Sequence, residues 1–580
     1  MLRATNLRTT LIATLLEFAF ALAPGRGFAA EMADAIYHGG EIVTVDDRQP
    51  TAQALAVHDG KILAVGSLDD VMKLRGSETH VVDLAGKALL PGFIDPHSHY
   101  AMALVIADEC KLFAPPSGPG KDVDSMIAAL KQFAADRKIA PGEEIIGYGY
   151  DDTVMPQGRL LNRDDLDAAF PNNPVRVDHV SMHGTVLNSL AMQQYGFSAE
   201  TKAPPGGVIV RKPGTNEPWG LIMETAFLPI LEQTPRMTEQ QEIAATKAGQ
   251  WLYAEAGITT AHEGLTNLAQ LRMMKRAADA GIHTIDVIAF ASIFELDEIV
   301  AEFPIAAWGT YDQGLKIGGV KITIDGSPQG RTAAFTTPYL TGGPGGERPW
   351  SGELAAPKQT IDAAVKHVYD LGVPLNLHAN GDAAIDAFLQ AHEYAASGDL
   401  GRDRRVTLMH AQFTRKDQIA KFVDYKIRPS FYSLHTYYFA DAHIRNRGVT
   451  QAMYISPMRD AIDAGLHPTN HTDFVVAPLD QAMVLWSAVN RISRAGNRIG
   501  PDQRITPLEA LKAITLWPAE QYGEQDTKGS LAPGKRADMV ILDRNPLVCP
   551  PLGLNELCVL ETIKDGRTIY AAGADTPSAQ

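Results

Sequence analysis

Pro91-Gly-Phe-Ile-Asp-Pro-His97-Ser-His99 follows directly on the apolar run Lys87-Ala-Leu-Leu90, and the fold is read outward from it. Side chains two apart on an extended segment point the same way, so His97 and His99 can face one metal ion together. With 17 His in 580 residues, chance alone supplies about half a His-x-His per chain. The pair therefore carries weight only through what accompanies it downstream.

Beyond the pair, strand-like apolar runs alternate with helical stretches, the pattern of repeated βα units around a parallel sheet. Candidate strands include Gly257-Ile-Thr-Thr-Ala-His262, Thr284 to Ala289, Gly319 to Ile324, Pro374 to His378, Val406 to His410, Lys426 to Ser430 and Leu466 to Asp473. Their number points to a (β/α)8 TIM-like barrel over residues 91–504. A Pro- and Gly-rich insertion at about 110–225 carries short strands of its own. In such a barrel, functional groups sit where strands end. The strand ends here finish on metal-competent residues: His97 and His99, Lys321, His378, His410 and Asp473. Singly each is an ordinary polar residue, but five such endings in one chain argue for a metal centre with imidazole and carboxylate ligands.

The two ends of the chain share a different texture. Ala54 to Gly66 turns at Asp59-Gly60, and Val559 to Tyr570 turns at Asp565-Gly566, both hairpin signals between β-branched runs. Neither end alone makes a comfortable β core, so residues 33–90 plus 505–575 are expected to form one small β-sandwich clasping the barrel. Residues 1–30 read as a secretory signal peptide: Arg3 and Arg8 precede an apolar stretch that ends in small residues near Ala30. A secreted or periplasmic location follows, with no membrane span in the mature chain, since no later run reaches ~20 apolar residues. A net charge of -16 argues against a nucleic-acid partner, and no Lys/Arg cluster stands out. Three cysteines, Cys110, Cys549 and Cys558, make neither a disulfide scaffold nor a thiolate site.

Together the motifs resemble the amidohydrolase superfamily, specifically its branch of YtcJ-like proteins related to N-substituted formamide deformylase. The resemblance rests on Pro91 to His99, Gly319-Val-Lys321, His378-Ala-Asn-Gly-Asp382, His410-Ala-Gln412 and the late Asp473. It is supported by His183-Gly-Thr-Val-Leu-Asn-Ser, Gly206-Gly-Val-Ile-Val, Asp325-Gly-Ser-Pro-Gln-Gly-Arg331 and Leu531-Ala-Pro-Gly-Lys-Arg-Ala-Asp. It implies a metal-dependent hydrolase with one or two divalent ions, zinc above all. His97, His99 and Asp473 would hold one ion. His378 and His410 would hold a second or polarise the substrate, and Lys321 matches the lysine that bridges two metals as a carbamate. Homodimers are common in proteins of this kind. Asn470-His-Thr-Asp473 stands where Ser-Asp-x-Pro is frequent, which makes His471 an extra contact.

The expected reaction is cleavage of a non-peptide carbon–nitrogen bond in a small amide, N-substituted formamide or cyclic amide. Metal-activated water attacks, with Asp473 as the catalytic proton carrier. Ester or lactone hydrolysis and heterocycle deamination remain alternatives on the same centre, and a catalytically silent ligand-binding barrel is the alternative of another class. Tyr432 and His435, in an aromatic stretch after a strand, are read as a substrate wall. Asp325 and Arg331 either clamp substrate or pair with each other, and Glu224, His183 and His262 are read as structural.

Overall fold

The computed structural model describes residues 31–574 apart from 108, 157–158, 181–183, 205–206, 234–236 and 344–346, so the expected signal peptide and His183 lie outside the described residues. Eight parallel strands make the central sheet in strict chain order: β1 (Phe93–Ile94), β2 (Ile258–Thr266), β3 (Asp286–Ser292), β4 (Leu315–Thr323), β5 (Leu375–Ala379), β6 (Val406–His410), β7 (Arg428–Phe431) and β8 (Thr469–Asn470). All the pairings from β1 through β8 are parallel. Strands buried on both faces cannot alternate polar and apolar positions, which is why they were visible as near-continuous apolar runs.

The seam between β8 and β1 is bridged just past the strand ends. Asp473 N–H donates to His97 O at 3.0 Å and His99 N–H to Phe474 O at 2.6 Å. At the opposite end of the seam, Ile94 N–H donates to Ile514 O (2.8 Å) and Asn470 N–H to Ala513 O (3.0 Å), so the short turn at residues 513–514 stitches both strands. The sheet curls on itself accordingly, and the largest apolar core runs through it, from Leu90 and Phe93 to Val540.

The termini do clasp each other. Ala88–Pro91 pairs antiparallel with Met539–Leu542, with Leu90 opposite Val540, which joins five N-terminal strands to three C-terminal ones. The expectation was a two-layer sandwich; hydrogen bonding instead gives one eight-stranded mixed sheet whose apolar clusters around Ile42 and Ile36 are separate. Both predicted Asp-Gly turns form, with Asp59 and Asp565 at φ of 47 and 50° and Gly60 and Gly566 at 72 and 73°, as a two-residue hairpin requires. Residues 507–521 contribute helices, Pro507–Lys512 and Leu516–Gln521, and not strands of that sheet.

Between β1 and β2 the chain builds a third sheet of six strands, from Cys110–Lys111 to Pro218–Glu224, with its own core around Leu130, Leu166 and Val177. Ile145–Tyr150 and Val175–His179, apolar runs like those of the barrel, belong to this sheet. This insertion is fastened over the strand ends of the barrel. Tyr148 Oη donates to Val180 O and Val475 O, Ser117 Oγ lies 3.0 Å from Tyr438 Oη, and Arg494 pairs with Asp151 at 2.7 Å. Among the described residues the three cysteines are free, and no helix is long and apolar enough to cross a membrane.

Candidate metal centre

The strand-end residues converge. His97 and His99 follow β1, Lys321 lies near the end of β4, His378 is the penultimate residue of β5, His410 closes β6, and Asp473 lies three residues past β8. Asp473 Oδ1 is 3.3 Å from His97 Nε2 and 3.6 Å from His99 Nε2, and Lys321 Nζ is 3.3 Å from the same His97 nitrogen. Ligand atoms of His97, His410 and Asp473 all lie within 4.8 Å of one another. The resemblance had grouped His410 with His378; their rings are 4.4 Å apart, yet His410 also joins the His97–Asp473 set.

Two of these carriers sit on strained backbone: His410 and Asp473 have φ of 68 and 52°, a left-handed region that side chains other than glycine seldom occupy. Glycine is required beside them. A Cβ on Gly264 would come within 2.5 Å of His97 Cε1, so only a bare backbone lets β2 pass the ring.

Electrostatics prepare the cluster for a cation. Burial, reinforced by the Lys321 ammonium, pushes the His97 imidazole well below its ordinary range, and the same causes take His378 down to about 3. Burial and the neighbouring His378 do the same to His410. These imidazoles are therefore neutral, the form that can donate a lone pair. Burial opposes the charge of Asp473, but His410 and the hydrogen bonds from His97 and His99 overcome it and hold the carboxyl well below the usual carboxylate range. Burial lowers Lys321 to about 8. Among the described residues, buried His97 Nδ1 and His262 Nε2 have no hydrogen-bond partner. An imidazole and carboxylate donor set of this kind, with buried lone pairs unspent, fits a divalent cation.

Supporting contacts fix the orientation of the donors. His410 Nδ1 lies 3.1 Å from His471 Nε2, and His471 Nδ1 lies 2.9 Å from Ser430 Oγ, so a chain from β7 through His471 holds the His410 ring and leaves Nε2 as its ligand atom. Tyr432 stacks on His471 at 5.3 Å and meets His435 at 4.6 Å, while His435 Nδ1 is 2.8 Å from His443 Nε2. The expected wall is therefore next to the cluster.

The loop pair behaves differently. Asp325 accepts from the backbone N–H groups of Ala334, Asn380 and Gly381 at 2.8 to 3.0 Å and is wholly buried, so its carboxylate ties the β4 loop to the β5 loop. Burial raises its carboxyl to about 7, against those three bonds. Among the described residues no ion pair joins it to Arg331, whose carbonyl accepts from Trp350 Nε1.

Sequence reasoning gave Asp95 no role and read His262 as structural. Asp95, inside the opening motif, accepts from Thr472 N–H (3.2 Å) and Thr472 Oγ1–H (2.5 Å), locking the residue before Asp473 to the residues before His97. Its partner is 377 residues away, so nothing local announced it. His262 stands with its ring 5.1 Å from that of His97 and its Nδ1 2.7 Å from Tyr522 Oη. It lies mid-strand in β2, four residues before the strand ends, so it does not share the strand-end signal of the other histidines.

Comparison with known proteins agrees with this geometry. An amidohydrolase family model matches residues 80–570. N-substituted formamide deformylase of Arthrobacter pascens is 28% identical over 555 residues, covering 93% of this chain and 99% of that protein. The Bacillus subtilis protein YtcJ, named as an amidohydrolase, is 26% identical and covers 92% and 99%. A metal-dependent hydrolase of Pyrococcus horikoshii superposes with a TM-score of 0.69 at 23% identity, covering 89% and 99%, which fixes the TIM-like fold. The chain belongs to the amidohydrolase family.

Proposed function

We propose that this protein is a metal-dependent hydrolase that cleaves a non-peptide carbon–nitrogen bond of a small amide, with N-substituted formamides the first class to try. The observation that carries the proposal is the convergence of His97, His410 and Asp473, neutral imidazoles and an ionised carboxylate, at the strand ends of the barrel. Family membership and the deformylase relative support it. Zinc is the ion we favour, because the donors are imidazole and carboxylate and none is a thiolate.

His97, His99, His410 and Asp473 would hold the cation, with His378 and Lys321 beside them. What a divalent cation supplies at such a centre is Lewis acidity, which polarises a carbonyl and brings the acidity of water towards neutral pH. Asp473, kept ionised, accepts the proton of the attacking water at a carboxylate oxygen and returns it to the departing nitrogen, which leaves as an amine. Lys321, lowered to about 8 by burial, is mainly an ammonium at neutral pH but keeps a larger amine fraction than an ordinary lysine, the form able to add carbon dioxide and become a carbamate. Tyr432 and His435 would form the substrate wall beside the cluster, and the insertion is held to the barrel there by the Ser117–Tyr438 and Asp151–Arg494 contacts.

The test is elemental analysis of purified protein alongside formate or amine release from a panel of N-substituted formamides. The proposal expects bound divalent metal and turnover in wild type, with both lost in Asp473→Ala. A folded wild type that takes up no metal from an excess of zinc overturns it.

A further inference from the structure

At the opposite end of the barrel, where the strands begin, lies a cavity of about 390 Å3. Lys316 and Lys321 share β4, one at each end, so the cavity is about 16 Å along the strand from the metal centre. The volume falls in the range of small-molecule sites. Its rim is the segment Arg402-Asp-Arg404-Arg405 that leads into β6, a basic cluster that the composition-level reading overlooked.

Four cationic side chains, Lys316, Arg402, Arg404 and Arg405, line the cavity against one carboxylate, Asp403. That carboxylate is already committed, held by Arg428 through two bonds of 3.1 and 2.8 Å. Lys316 is committed to Glu524. Arg404 lies over the Tyr369 ring at 5.1 Å and donates to the carbonyls of Asp399 and Arg402. For Arg402 and Arg405 the described residues supply neither a salt bridge nor a side-chain hydrogen bond. Both are exposed at the rim, and Arg405 also feels the Asp403 charge that Arg428 binds, so the cavity mouth carries a net positive charge.

A second observation comes from inside the barrel. Asn376, on β5, lines the same cavity, is 1% exposed, and its amide nitrogen has no acceptor. A buried donor without a partner costs about 1–3 kcal/mol unless something supplies the bond. Phe290, Trp308 and Tyr369 give the cavity an apolar wall.

We infer that this cavity binds a small organic oxyanion, a carboxylate or phosphate group on an aromatic or aliphatic body, at a site separate from the metal centre. The guanidinium groups of Arg402 and Arg405 take the oxyanion, in the paired geometry that arginine offers to carboxylate and phosphate alike. The body lies against Trp308 and Tyr369, and the Asn376 amide donates to the buried end of the ligand.

The experiment is calorimetric titration of the full-length protein at low ionic strength with benzoate, with phenyl phosphate and with inorganic phosphate, followed in parallel by tryptophan fluorescence. Saturable binding of benzoate or phenyl phosphate is expected, with a fluorescence change that Trp308→Phe abolishes while the heat remains. The Arg402→Ala/Arg405→Ala variant, which removes two exposed side chains that make no side-chain hydrogen bond or salt bridge among the described residues, should bind at least about tenfold more weakly. Binding should persist in His97→Ala, which separates it from the metal centre. Preference for benzoate marks the natural ligand as a carboxylate, and preference for phenyl phosphate marks it as a phosphate ester. No saturable binding of either organic probe below about 10 mM, or equal affinity in the double arginine variant, overturns the inference.

Discussion

The two ends of one barrel solve the problem of buried charge in opposite ways. Where the strands begin, Asp286 is ringed by Lys528, Lys564 and Arg536, and each cation has a second carboxylate partner in Glu524, Asp538 or Asp565. Every charge in that knot is answered, and the knot ties the terminal sheet to β3. Where the strands end, histidines crowd one carboxylate and one lysine, and ring nitrogens of His97 and His262 are left over. The first arrangement is complete in itself; the second is complete only with an ion. Structural and functional burial of polar groups can thus be told apart by their remainders.

The largest effect expected from breaking this contrast is at the incomplete end. Asp473→Ala should lower turnover by about 10³–10⁴-fold, equivalent to about 4–5.5 kcal/mol of barrier, and should abolish metal retention while the melting temperature of the apoprotein barely moves. Asp286→Ala should do the reverse. It removes the one carboxylate that all three cations share and leaves each with a single partner, so denaturant unfolding should show a loss of about 3 kcal/mol, with activity per folded molecule unchanged.

The pH dependence of the complete end has a definite sign. Burial alone would raise the Asp286 carboxyl, but Lys528, Lys564 and Arg536 reverse that and hold it well below its ordinary value. A carboxyl depressed in the folded state contributes fully above the unfolded value near pH 4 and loses that contribution as the pH falls further. Wild type should therefore lose more stability on acidification below about pH 4 than Asp286→Asn does, as read from denaturation midpoints across a pH series.

Smaller effects sharpen the same comparison. Gly264→Ala drives a methyl group onto the His97 ring and should weaken zinc affinity by about 10–100-fold, measured by competition with a chelator, with secondary structure intact. Ser117→Ala removes a single contact between the insertion and Tyr438. It should change stability by under about 1 kcal/mol and appear, if anywhere, in KM.

How much of this was legible follows from the range of each interaction. The central strands could be read because a strand buried on both faces writes its burial into consecutive residues, as in Val406-Thr-Leu-Met-His410. The Asp-Gly hairpins could be read because two residues fix a turn. The candidate ligand residues were visible as repeated endings of a repeated unit, although which of them come together around Asp473 was not. Asp95, the His471–Ser430 support and the Asp286 knot were not visible, because each depends on partners dozens to hundreds of residues away whose residue types are unremarkable. Asp325 was read as clamping substrate or pairing with Arg331; its carboxylate accepts from three backbone donors that only the folded loops bring together. The terminal strands were legible as a β layer, whereas their joining into one hydrogen-bonded sheet was not, because short strands with turns do not announce which strands pair.

The bond between Asp95 and Thr472 also sets a timetable. Its two residues are made at opposite ends of translation, and closing so long a loop is among the costliest contacts a chain of this size can form. A ribosome emitting this protein releases His97 and His99 early and must deliver nearly four hundred further residues before Asp473 can reach them. Until then the two histidines offer only an incomplete set of donors. Metal loading is consequently an event of the finished chain, and a truncation anywhere before β8 should yield a product that neither closes its barrel nor keeps its ion.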